Sequence, residues 1–144
     1  MAKAQNLKNH TRWLPAYHFF VSPVLLINVV LAIRHAFNAP SMDSGWTAVL
    51  AVALFLGILL ARTQALTVQN RLIRLEQQVR FARILPADLQ PAVAELRPRH
   101  FIGLRFASDA EVPDLIRRIR AGELDRSRDI KKAVRDWQAD YLRV

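Results

Sequence analysis

Few residues in this chain have types and spacings that could do chemistry. None of the 144 residues is a cysteine, which removes thiol nucleophiles, disulfides, zinc–thiolate and iron–sulfur sites. The histidines are His10, His18, His35 and His100. His18 and His35 sit at opposite ends of one apolar run, about 26 Å apart if it is helical, too far to share a metal. The second apolar run has no histidine, so one chain cannot supply a facing pair of haem ligands, although two copies of His18 in a dimer could. The plainer reading, an interfacial histidine, is the one adopted. There is no phosphate-loop motif and no Ser/His/Asp arrangement. The sequence therefore predicts no catalytic residue, no metal site and no cofactor, and reads as non-catalytic.

Two polar features remain. Asn28 falls near the middle of the first apolar run, where an amide needs a partner; a hydrogen bond to a neighbouring helix backbone is expected rather than an ion path, since no embedded acid accompanies it. Arg117, Arg118 and Arg120, then Arg126, Arg128, Lys131, Lys132 and Arg135, form the strongest basic cluster. As a functional patch it would take anionic headgroups, nucleotide, nucleic acid or an acidic partner surface. As a solvated face it would be paired with Glu123, Asp125, Asp129 and Asp136, and that reading is slightly favoured; nucleic acid is disfavoured as a partner.

The elements that must position these residues divide the chain. Residues 1–12 carry Lys3, Lys8 and Arg12 and no acid. Trp13 to Ile33 is a run of 21 residues without a formally charged side chain, long enough for the roughly 30 Å core of a bilayer. With Arg34, His35 and flanking residues the first span is placed at 13–37, with Pro15 at its start and a kink expected at Pro23. A signal peptide is disfavoured, because no small-x-small cleavage site follows. Residues 38–45 are expected as a short external loop, and the second span as 46–61, 16 uncharged residues or about 24 Å of helix. Ala53, Gly57 and Ala61 form a small-residue stripe expected to pack on the first span, with a self-association face as the alternative. Basic residues flank the hairpin on both sides, which places both termini in the cytoplasm. The net charge of +9 fits that arrangement.

From Arg62 no Pro or Gly occurs until Pro86, so the second span is expected to continue as one helix from about Thr47 to Leu85, with 62–85 as a stalk. Ala65, Val68, Leu72, Leu75, Val79 and Ala82 alternate three and four apart, a seam of fewer than three heptads. Something must cover it: the chain's own 86–144 region, a second copy or a partner subunit. Residues 86–144 are expected as a small helical bundle. Asp88 would cap a helix ending near Leu96, Pro98 would open the next, and Ser108 and Glu111 would form a capping box. Gly122 would stop the helix holding Val112, Leu115, Ile116 and Ile119. A last helix would carry Ile130, Ala133, Val134 and Trp137 on one face.

The segments QNLKNHTRWLPAYHF and LRFASDAEVPDLI…DIKKAVRDWQADYLRV resemble a family of short bacterial two-span membrane proteins classed only as a domain of unknown function. The resemblance covers nearly the whole chain. It implies a bacterial cytoplasmic membrane and supplies no activity, ligand or catalytic residue. The combined expectation is an all-α, multi-pass inner-membrane protein with both termini cytoplasmic, with the lipid bilayer and another subunit, of its own kind or of a larger membrane complex, as partners. The rival is a sensory or binding module whose Arg-rich domain captures an anion.

Overall fold

The turn between the two apolar runs is tighter than the sequence suggests. In the computed structural model, which describes residues 5–7, 9 and 13–140, the helix α1 (Ser22–Asn38) and the helix α2 (Met42–Ile84) are separated only by residues 39–41. Ser41 and Ser44 explain this. The Ser44 amide donates to Ser41 Oγ at 3.0 Å and the Ser41 amide donates to Ser44 Oγ at 2.9 Å. That reciprocal pair is a capping box with serine in the place usually held by Glu, and it starts the helix inside the expected 38–45 loop. Ser44 Oγ also donates to the Ala39 carbonyl at 2.9 Å and is buried. Gly45 thus lies in the first turn of α2.

Within residues 13–66, Pro23 does not interrupt the helix. A π-helical turn over Ala16–Val21 leads into α1, with the Ser22 amide bonded to the Tyr17 carbonyl, and it absorbs the missing N–H just downstream. His18 folds back on the start of this segment, its Nδ1 3.0 Å from the Leu14 carbonyl oxygen, with Trp13 and Tyr17 edge-on to its ring. The Arg62 guanidinium lies 5.8 Å from the centre of the Tyr17 ring. The buried side chains of this unit are small: Ala32, Ser44 and Ala51. The large ones, such as Phe19, Phe20, Val30, Leu31, Trp46 and Leu60, are exposed. The helical run Ala16–Asn38 and α2 are each long and apolar enough to cross a membrane.

α2 runs unbroken over 43 residues, as the lack of Pro and Gly beyond Gly57 predicts. Its end is closed by Gln90, whose amide donates to the Leu85 carbonyl at 3.0 Å and to those of Phe81 and Ala82 at 3.3 Å. The chain reverses at Pro86. The helix expected before Leu96 is only one turn, α3 (Ala92–Glu95), preceded by irregular turns. α4 (Pro98–Leu104) opens at Pro98 as expected. α5 (Val112–Arg120) buries Val112, Leu115, Ile116 and Ile119 and stops at Gly122, where φ is +79°. The Glu123 amide reaches the Arg118 carbonyl and the Gly122 amide the Ile119 carbonyl, both at 3.0 Å, the pattern of a Schellman stop.

Two expectations fail in this region, for one reason. Glu111 does not close a capping box on Ser108, and α5 begins after it with no side-chain cap. Its carboxylate accepts instead from the amides of Arg135 at 3.0 Å and Asp136 at 3.1 Å. Those bonds draw the chain out of helix, so α6 (Ser127–Ala133) ends at an extended Val134, and Trp137 lies beyond the helix. Trp137 stacks on Phe106 at 4.4 Å, and residues Ala107 and Trp137 form an isolated antiparallel bridge. No strand is present among the described residues, and the fold is all-α. The core joins Phe81 and Leu85 of α2 to Leu89, Ala92, Leu96, Phe101, Leu104 and the buried face of α5. Phe81 stacks on Phe101 at 5.9 Å. α4 and α6 meet at Gly103, where a Cβ would stand 2.8 Å from Ile130 Cβ, so only glycine fits that approach. At the described N-terminus, Gln5 and Asp140 exchange amide hydrogen bonds of 3.1 and 2.8 Å.

Candidate interaction surface

The part of α2 beyond Thr67 has two opposite faces. One buries Ile73, Gln77 and Phe81, the last completely, against its own small domain. Arg80 fixes this side: it donates to Asp109 and to the Ala107 carbonyl, both at 2.7 Å, and to Gln77 at 3.1 Å. At 100° per residue the other face, roughly 180° away, carries the seam seen in the sequence. Val68 is 64% exposed, Leu72 53%, Leu75 59% and Val79 48%. Ala65 and Ala82 are exposed as well. The chain's own domain therefore does not cover the seam; it covers a weaker stripe that sequence periodicity passed over. The spacing of Ile73, Gln77, Phe81 and Leu85, four residues apart, was the available signal, masked by the glutamine.

Two expectations for residues 13–66 are corrected. Gly57 has nothing within 4 Å of where a Cβ would stand, and Ala53 and Ala61 are exposed, so the stripe does not pack on α1. The buried residues of this unit are Ala32, Ser44 and Ala51 instead. Asn28 is exposed and its side chain has no hydrogen bond among the described residues, so the expected bond to a helix backbone is not made. His18 and His35 stay at opposite ends of the first helical segment, and Lys3, Lys8, His10 and Arg12 lie outside the described residues.

The basic cluster is only partly neutralised. Arg118 pairs with Glu123 at 3.0 Å and Arg120 with Glu95 at 3.5 Å. The Lys131 ammonium lies 5.2 Å from the centre of the Phe106 ring. Arg117, Arg126, Arg128, Lys132 and Arg135 have no ion-pair partner among the described residues. Of the four acids expected to neutralise the cluster, only Glu123 does so. Leu7, Arg128, Lys131 and Lys132 line an open groove of about 360 Å³.

Asp125 turns the other way, into a constellation that the sequence did not suggest. It pairs with Arg99, lies 3.3 Å from His100 Nε2 and is 3.9 Å from Arg97. The hydrogen bonds from Arg99 and then His100 hold its carboxyl below the usual carboxylate range. His100 is buried, and its Nδ1 accepts from the Arg97 amide at 3.2 Å. Both ring nitrogens are thus engaged at the start of α4, one with the Arg97 amide and one with Asp125. These residues lie about 25 positions apart, so no local spacing announces them. Among the described residues no group of three or more acids and histidines is placed to hold a metal.

With the fold in view, family comparison places the chain. It belongs to DUF6526, a family of unknown function, whose profile matches residues 1–144. No curated protein and no solved structure matches it. The surface of this DUF6526 chain carries an exposed apolar face on α2 and, among the described residues, five cations of the basic cluster without an ion-pair partner.

Proposed function

We propose that this DUF6526 protein is a non-catalytic bacterial inner-membrane protein, an accessory or scaffold subunit that assembles with itself or within a larger membrane complex. Residues 13–66 would form the two-span hairpin, with 39–41 outside and both termini in the cytoplasm, since basic residues flank the hairpin on both sides. The observation that carries the assembly reading is the exposed seam Val68, Leu72, Leu75 and Val79 on a helix whose opposite face already fills its own core. An apolar strip in water between Arg and Gln flanks is a protein-binding surface. Gentle detergent extraction of the tagged full chain tests this. The expected result is a stoichiometric assembly, of one or more chain types; a lone chain with no companion overturns it.

A second reading rests on the groove of Leu7, Arg128, Lys131 and Lys132, whose lining among the described residues has three cations and no acid. It would hold an anionic headgroup or nucleotide phosphate. In detergent, added phosphatidylglycerol should then raise the thermal stability of the full chain, and K132Q with R128Q should abolish the rise. An unchanged response in that variant removes this reading.

A further inference from the structure

We infer that the seam of α2 pairs with the same seam of a second copy of this chain, parallel and in register. This rests on the assembly reading above and names its partner. The steps from Val68 to Leu72, Leu75, Val79 and Ala82 are four, three, four and three residues, an average of 3.5, which keeps an apolar strip facing a partner helix as the two wind around each other. The residues beside the strip select which helix that is. Arg71 borders it on one side and Glu76 on the other, and both are exposed. Neither has an ion-pair partner in its own chain among the described residues.

In a parallel pair, a residue just before one core position meets the residue five places later on the other helix. Arg71 then faces Glu76 of the second copy, and by two-fold symmetry Glu76 faces Arg71 of the second copy. The neighbouring edge pairs are Gln64 with Gln69 and Gln78 with Arg83, so no like charges meet. An antiparallel pair sets each edge against itself and leaves Arg71 without its acid. Fewer than three heptads make a weak free coiled coil. Tethering to membrane spans removes that obstacle, because copies inserted the same way are already parallel and at high effective concentration.

The absence of cysteine makes the test direct. The full chain is produced with L75C alone, or with N70C as an exposed position off the seam, and oxidised in its own membranes. The expected result is a covalent dimer with L75C and little with N70C. Charge reversal supplies the second arm. R71E and E76R should each reduce cross-linking of L75C, and the double reversal should restore it, which a folding defect would not do. Equal cross-linking at both cysteines, or no rescue, overturns the pairing. The wild type separates self-pairing from assembly in general. A homo-oligomer insensitive to these changes, or a stoichiometric complex with a different protein, sinks the parallel self-pairing and leaves the assembly reading standing. A lone chain sinks both.

Discussion

In residues 13–66 the small side chains are inside and the large apolar ones outside; from residue 67 on, large apolar side chains fill the core and most arginines face out. The difference teaches how to read exposure on α2, which carries both regimes. Leu60 is 62% exposed and Leu72 is 53% exposed, nearly the same figure. In the turns leading up to Leu60, residues 48–61, every side of the helix is apolar, which suits hydrocarbon and needs no cover. Around Leu72 the helix carries Arg71, Arg74 and Glu76. Hydrocarbon does not suit that surface, so its apolar strip calls for protein.

The sharpest break of the comparison is a truncation on each side. F81A removes a fully buried ring from the core and should cost about 3–5 kcal/mol, enough to unfold a domain of this size. F20A removes an exposed ring and should leave the fold intact. Protease sensitivity of the membrane-extracted chain distinguishes them.

The glycines give a second, smaller contrast. G103A drives a methyl into Ile130 and should cost about 1–3 kcal/mol in thermal unfolding. G57A meets open space within the chain and should be silent or slightly stabilising. A loss from G57A would show that a second helix approaches there.

E111A should free the amides of Arg135 and Asp136 and loosen the segment that presses Trp137 on Phe106. The expected cost is roughly 1 kcal/mol, since the acid is only half-buried. Early proteolysis after Val134, with the rest of the domain resistant, is the readout.

The smallest effect is electrostatic. The folded-state carboxyl of Asp125 binds its proton more weakly than the unfolded one, because Arg99 and His100 stabilise the anion. Its contribution is therefore present above the unfolded pKa and lost as pH falls through the folded one. D125N should flatten the acid limb of the stability profile slightly; an unchanged limb would mean the pairs are fully screened.

Much of this fold was legible because local chemistry decided it. The gap in Pro and Gly up to Pro86 gave the long helix, Pro98 a start and Gly122 a stop. The rest was decided at a distance. The stretch after Thr67 holds two apolar stripes, and the stronger one is left outside because Phe81 meets Phe101, a choice that periodicity cannot see. Glu111 looked like a capping residue and is spent on amides 24 and 25 positions away. The candidate surface was thus readable as a strip of residues, while its freedom from cover was not.

In the proposed membrane arrangement, equal exposure means lipid at Leu60 and water or protein beyond Thr67. Nitroxide labels at V30C, L60C and D88C in vesicle-reconstituted chain measure this directly, through collision with dissolved oxygen and with a water-soluble nickel chelate. Labels at 30 and 60 should collide with oxygen and be shielded from nickel, while the label at 88 should meet nickel freely. Nickel access at 30 and 60 equal to that at 88 would contradict it.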